Sequence, residues 1–149
     1  MRFQKTFRRV KPATPPGTTL GGDSLPAGGP AQSSDAIIGA RVQGFGQHPP
    51  ERIVVGCKYT GAGPFVDLNV ELWVWDSETA SWFKAATGTL KQDELLYLRC
   101  PFLVERPQTQ ANIGTPTSGG TDAYVLVKDP GAAADGAYLF GVGADAASF

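Results

Sequence analysis

The sequence predicts an all-β protein: an antiparallel β-sandwich, jelly-roll-like, of about seven or eight strands, with an extended N-terminal arm. Three observations carry this. Gly (19) and Pro (12) together exceed a fifth of the 149 residues, which favours turns and strands over helix bundles. Seven short apolar segments follow one another with turn signals at the spacing of a sandwich or barrel. No amphipathic helix of about 10–15 residues lies between them, which argues against a parallel α/β sheet. With 42% hydrophobic residues, the chain is long enough to bury the core of one domain.

Residues 1–35 form the predicted arm. "KPATPPGTTLGGDSLPAGGPAQSSD" (11–35) has no apolar period, and its Pro and Gly oppose helices and strand ladders. Residues 36–149 form the predicted sandwich domain. "AIIGARVQGFG" (36–46) is a strand, then "QHPPE" turns. "RIVVGCKY" (52–59) sets Ile53, Val55, Cys57 and Tyr59 on one side. "FVDLNVELWVWD" (65–76) alternates strictly, with Leu68, Val70, Leu72 and Val74 against Asn69, Glu71, Trp73 and Trp75. "SWFKAATG" (81–88) returns across the turn "SETA". "ELLYLRCPFLVE" (94–105) is a fifth strand, with a helical turn allowed at "LKQDE" (90–94). After a long polar loop (106–121), "DAYVLVKD" (122–129) and "AYLFGVGA" (137–144) are expected to pair as a hairpin.

Symmetry about "SETA" sets Trp75 opposite Trp82, Val74 opposite Phe83 and Trp73 opposite Lys84. Val70, Leu72, Val74, Phe83 and Ala85 then share a core face. Trp73, Trp75, Trp82, Lys84 and Glu71 share the other, with Trp73 and Lys84 set for a cation–π contact. An aromatic cluster opposite a core face is covered by another segment of the chain, by a protein partner, or by a stacked sugar. Trp73, Trp75, Trp82 and Lys84 are therefore candidate partner- or sugar-binding residues.

The net charge of −1 is too balanced for a protein that coats nucleic acid. It hides an asymmetry. Residues 1–35 carry five cations against two carboxylates, a net of +3; residues 36–149 carry eight against twelve, a net of −4. The basic start "MRFQKTFRRVK" interleaves Phe3 and Phe7 with Arg2, Lys5, Arg8, Arg9 and Lys11. These seven are candidate partner-binding residues, suited to an acidic protein surface and, as the one such segment, to nucleic acid. No apolar h-region follows the basic start and no run approaches ~20 apolar residues, so neither export nor a membrane span is expected, and the chain is expected to be made in cytoplasm.

Catalytic and metal chemistry is not expected. His48 in "GQHPPE" is the only histidine; it has no ligand partners at zinc spacing and no nucleophile elbow beside it. "GVGADA" (141–146) imitates a dinucleotide fingerprint, but no helix can follow in three residues. "DLNVE" (67–71) imitates a calcium loop without its glycine or distal Glu. Asp93 and Glu94 are adjacent, so on a strand they point to opposite faces. Cys57 and Cys100 fall on core sides, and free thiols are expected over a disulfide. No cofactor is expected.

Together the arm "KPATPPGTTLGGDSLPAGGPAQSSD", the hairpin "VELWVWDSETASWFKAATG" and the ending "DGAYLFGVGADAASF" resemble bacteriophage virion structural proteins. These are the small β-sandwich proteins that decorate or cement capsids or join head and tail parts. The resemblance implies a non-enzymatic virion component that binds capsid or other virion subunits, forms a homo-oligomer and clamps a neighbour with its arm. A head–tail or tail component is the first alternative. A carbohydrate-binding sandwich using the Trp cluster is the second.

Overall fold

The computed structural model describes residues 5–11, 21–23, 25, 28–30, 36–43, 50–76, 81–99, 122–131 and 133–146. These form β1 (Lys5–Lys11), β2 (Gly21–Gly22), β3 (Ala36–Gln43), β4 (Pro50–Thr60), β5 (Leu68–Asp76), β6 (Ser81–Leu90), β7 (Leu95–Arg99), β8 (Asp122–Lys128) and β9 (Gly136–Ala146). One sheet has the order β1-β9-β4-β7, the other β2-β3-β8-β5-β6. β2 is a two-residue parallel addition to β3. The remaining eight strands pair antiparallel in a nested series: β1 with β9, β3 with β8, β4 with β7 and β5 with β6. The links β4–β9 and β5–β8 complete the two sheets. First pairs with last and so on inward, which is a long hairpin rolled into two layers: a jelly roll.

The alternation read in the sequence sets the core. Leu68, Val70, Leu72 and Val74 of β5 are buried between the sheets, facing Ile53, Val55 and Cys57 of β4 and Tyr138, Phe140 and Val142 of β9. Each such side chain contributes about 1.5–3 kcal/mol by leaving water. Tyr59, Phe65 and Tyr138 close one end, with the Tyr59 and Tyr138 rings 5.0 Å apart. Cys57 is buried with a free thiol, and burial, then the Asp93 charge, pushes that thiol up to about 12. Cys100 and His48 lie outside the described residues.

Three sequence expectations differ from the fold. Residues 5–11, read as part of the arm, form edge strand β1, paired over seven residues from Lys5–Val142 to Lys11–Gly136. Only Phe7 of its inward side is apolar, and it packs on the core, so the strand is defined by its distant partner. The 122–129 and 137–144 segments do not form a hairpin: β8 and β9 lie in opposite sheets. The arch between them is held by Asp129, whose Oδ1 accepts the Gly131 and Ala133 N–H groups at 2.8 and 2.9 Å, with Gly131 at φ 115°. "LKQDE" is a tight turn between β6 and β7, with Asp93 at φ 59° and its N–H on the Cys57 carbonyl at 3.0 Å. "GVGADA" lies inside β9, in keeping with the strand expected over 137–144.

Candidate functional site

The β5–β6 register sets Trp75 against Trp82, Val74 against Phe83 and Trp73 against Lys84, as symmetry about the turn predicts. Beyond Trp73 it shifts: Leu72 pairs with Ala86, leaving Ala85 as a β-bulge. Ala85 and Ala86 both pack on the core. The outer face of this sheet is a grid of rows across β8, β5 and β6. Lys128–Asn69–Thr89 is followed by Leu126–Glu71–Thr87, then by Tyr124–Trp73–Lys84. Arg41 of β3 extends the last row beside Tyr124.

The chain covers part of this face itself. Trp82, Tyr124 and Leu126 are buried in a second cluster, and Leu25 and Trp73 pack against it. Leu25 comes from the segment read as arm. Two residues earlier, Asp23 ties that segment down. Its N–H donates to the Gly39 carbonyl at 2.8 Å, and its carbonyl accepts the Tyr124 hydroxyl at 2.8 Å. Its Oδ2 accepts the Arg41 N–H at 2.8 Å and Lys5 Nζ at 2.5 Å. Burial pushes the Asp23 carboxyl up, but the Lys5 and Arg41 bonds and charges outweigh it, and the net shift is down. Burial, then the Asp23 charge, pushes the Tyr124 phenol up to about 12. The Tyr124 ring lies over Gly39, where a Cβ would stand 1.8 Å from Oη; glycine is needed there for close approach.

The Trp73 indole N–H donates to Glu71 Oε1 at 3.0 Å. Lys84, expected over the Trp73 ring, holds its ammonium 3.7 Å from Glu71 Oε2, and Lys128 stands 3.6 Å from the same oxygen. A carboxylate draws an ammonium more strongly than a ring does. A cation does sit over an indole here, Arg41 at 5.8 Å from the Trp82 centroid. The Trp75 side chain lies outside the described residues.

The basic segment is divided by the pleat. Lys5, Phe7 and Arg9 share the half-buried side of β1, while Thr6, Arg8 and Val10 point out. Arg2 and Phe3 and the Lys11 side chain lie outside the described residues. On the outer face of the β1-β9-β4-β7 sheet, Arg8, Leu139 and Lys58 form one row, because Leu139 pairs with both cations. Leu139 is 48% exposed and Val10 52%. Leu95 and Tyr97 of β7 are exposed at the far edge, with the Arg52 guanidinium 4.5 Å from the Tyr97 centroid. Sequence reading missed this face, because its signal is split over four strands that only the topology brings together.

Among the described residues, no three His, Cys, Asp or Glu side chains are grouped to hold a metal ion. Among them also, no helix is long and apolar enough to cross a membrane. No protein-family model, curated protein or solved structure matches this chain.

Proposed function

We propose that this protein is a non-enzymatic structural component of a bacteriophage particle, a decoration or cement protein that docks on capsid subunits. The docking surface is the outer face of the β1-β9-β4-β7 sheet. The observation that carries the reading is the row Arg8–Leu139–Lys58, with exposed Val10 beside it and Leu95 and Tyr97 beyond. Protein interfaces combine exposed apolar and aromatic anchors with arginine in this way. Arg8 and Lys58 are exposed cations that flank an exposed leucine, so the partner surface is acidic with an apolar pocket. Arg2 and Phe3 precede β1 in the sequence and add a further cation and a further aromatic residue to the same basic segment. A head–tail or tail position would use the same surface, and self-association of the protein would be read in its sedimentation.

The test is incorporation. Particles produced with Leu139→Asp, or with Arg8→Glu and Lys58→Glu together, should lack the protein. The purified variants should keep the wild-type circular dichroism spectrum. Particles that retain both variants at wild-type copy number would refute the docking face. A wild-type protein that never cosediments with particles would refute the virion reading.

A further inference from the structure

The bulge at Ala85 changes which side chains β6 shows to solvent. Continued without a bulge, the Trp73–Lys84 register would set Glu71 against Ala86 and Asn69 against Gly88, and would turn Thr87 and Thr89 inward. The extra residue instead sets Glu71 against Thr87 and Asn69 against Thr89. Bulges recur where a strand must re-aim its side chains toward a site. On the inner side the same shift puts Gly88 beneath Leu96 and Leu98, where a Cβ would meet both leucines at 3.0 Å, and seats Leu90 in the core.

The re-aimed threonines border an open depression of about 340 Å³ on the outer face, lined by Asn69, Glu71, Thr87, Thr89 and Lys128 around the Val70–Gly88 pair. Its size is at the lower end of small-molecule sites, about 300–1,000 Å³. An amide, two hydroxyls, a carboxylate and an ammonium converge on it from three adjacent strands. Trp73 adjoins it through Glu71, which holds the indole N–H at 3.0 Å and so fixes the ring beside the polar groups. Directed donors and acceptors from three adjacent strands suit a ring bearing several hydroxyls. Both neighbouring ammonium groups, Lys84 and Lys128, are drawn to Glu71, which favours an uncharged ligand over an anion.

We propose that this depression is a binding site for one unit of a neutral saccharide. Asn69, Thr87 and Thr89 bond its hydroxyls, and Glu71, held by the Trp73 indole N–H, accepts from another. The site is on the opposite sheet from the docking face and does not depend on it.

The experiment is an NMR titration of the full chain with the methyl glycosides of glucose, galactose, mannose and N-acetylglucosamine and with disaccharides built from them. Saturable shifts are expected at the Trp73 indole N–H and at the Asn69, Thr87 and Thr89 amides. Asn69→Ala and Thr89→Val, both at exposed positions, should each raise Kd about five- to tenfold with the fold unchanged. Binding should be insensitive to salt. Leu139→Ser should bind sugar as the wild type does, which separates this site from the docking face. The proposal is overturned by three results: no saturable shift with any neutral glycoside, shifts that persist unchanged in the Asn69→Ala, Thr89→Val double variant, or binding confined to acidic sugars and abolished by salt.

Discussion

The two outer faces of the sandwich use apolar side chains in opposite ways. On the β3-β8-β5-β6 face, Trp82, Tyr124 and Leu126 are buried, Leu25 packs over them, and Glu71 and Arg41 engage the indoles. On the β1-β9-β4-β7 face, Val10, Leu139, Leu95 and Tyr97 stay exposed and two cations flank a leucine. The face with the tryptophans looks like the interface in sequence, yet it meets many of its own needs. The plainer face leaves apolar area uncovered, and uncovered area rather than aromatic count marks a docking surface.

The largest expected effect is on the closed face. Tyr124→Ala removes a fully buried ring and the hydroxyl that holds Asp23, and should cost about 3–5 kcal/mol in chemical denaturation. If it costs less than about 1 kcal/mol, the second cluster is not a core.

Alkaline pH should come next. In the unfolded chain the Cys57 thiol ionises near 9.0 and the Tyr124 and Tyr138 phenols near 10.0, whereas burial raises all three to about 12 in the fold. Their contribution is complete below pH ~9 and is lost as pH rises from there toward 12, because the unfolded state gives up protons first. Denaturation midpoints at pH 8 and pH 11 measure it. Tyr124→Phe should reduce the slope by the share of Tyr124 and leave that of Cys57 and Tyr138.

Asp23 gives a smaller effect with the opposite sign. Its carboxyl sits below 3.8 in the fold, so its contribution is present above pH ~4 and is lost as pH falls through the folded value. Asp23→Asn should cost about 1 kcal/mol at pH 7, less than a buried pair would, because Lys5 and Asp23 are 37% and 34% exposed. The gap between variant and wild type should narrow as pH falls below ~4; a gap that stays constant on acidification would sink the charge argument. Least of all, Leu139→Ser should change stability by no more than about 0.5 kcal/mol while abolishing incorporation. A destabilised Leu139→Ser variant would mean that the open face is covered after all.

How much of this was legible in the sequence follows from how local each signal is. The inward faces of β4 and β5 and the Trp73–Lys84, Trp75–Trp82 register were readable, because strict alternation and a short turn fix them. The bulge was not: in Ala85–Ala86 two identical small residues carry no sign of which is extra, so Thr87 and Thr89 could not be assigned to the outer face. β1 was hidden because its partner, β9, is at the other end of the sequence. Arg8 stood out as part of the basic segment, but Leu139, Lys58 and Tyr97 are unremarkable singly, and the four become a surface only once four strands are ordered. Asp23 and Leu25 lay in a Pro/Gly-rich stretch with no period; Asp23 is held by Lys5, Gly39, Arg41 and Tyr124 from three other strands, and Leu25 by the Trp82 cluster.

The nested pairing also sets a timetable for synthesis. β1 leaves the ribosome first, but its ladder partner β9 is made only after every other described strand. Until then β1 has no sheet to join, and β4 lacks the neighbour that separates it from β1. Such distant closure is the slow kind, in the millisecond-to-second range. The Arg8–Leu139–Lys58 row therefore cannot be completed until β9 has been made. A nascent or half-folded chain lacks the completed row, so under the proposed docking role only finished molecules would join a particle.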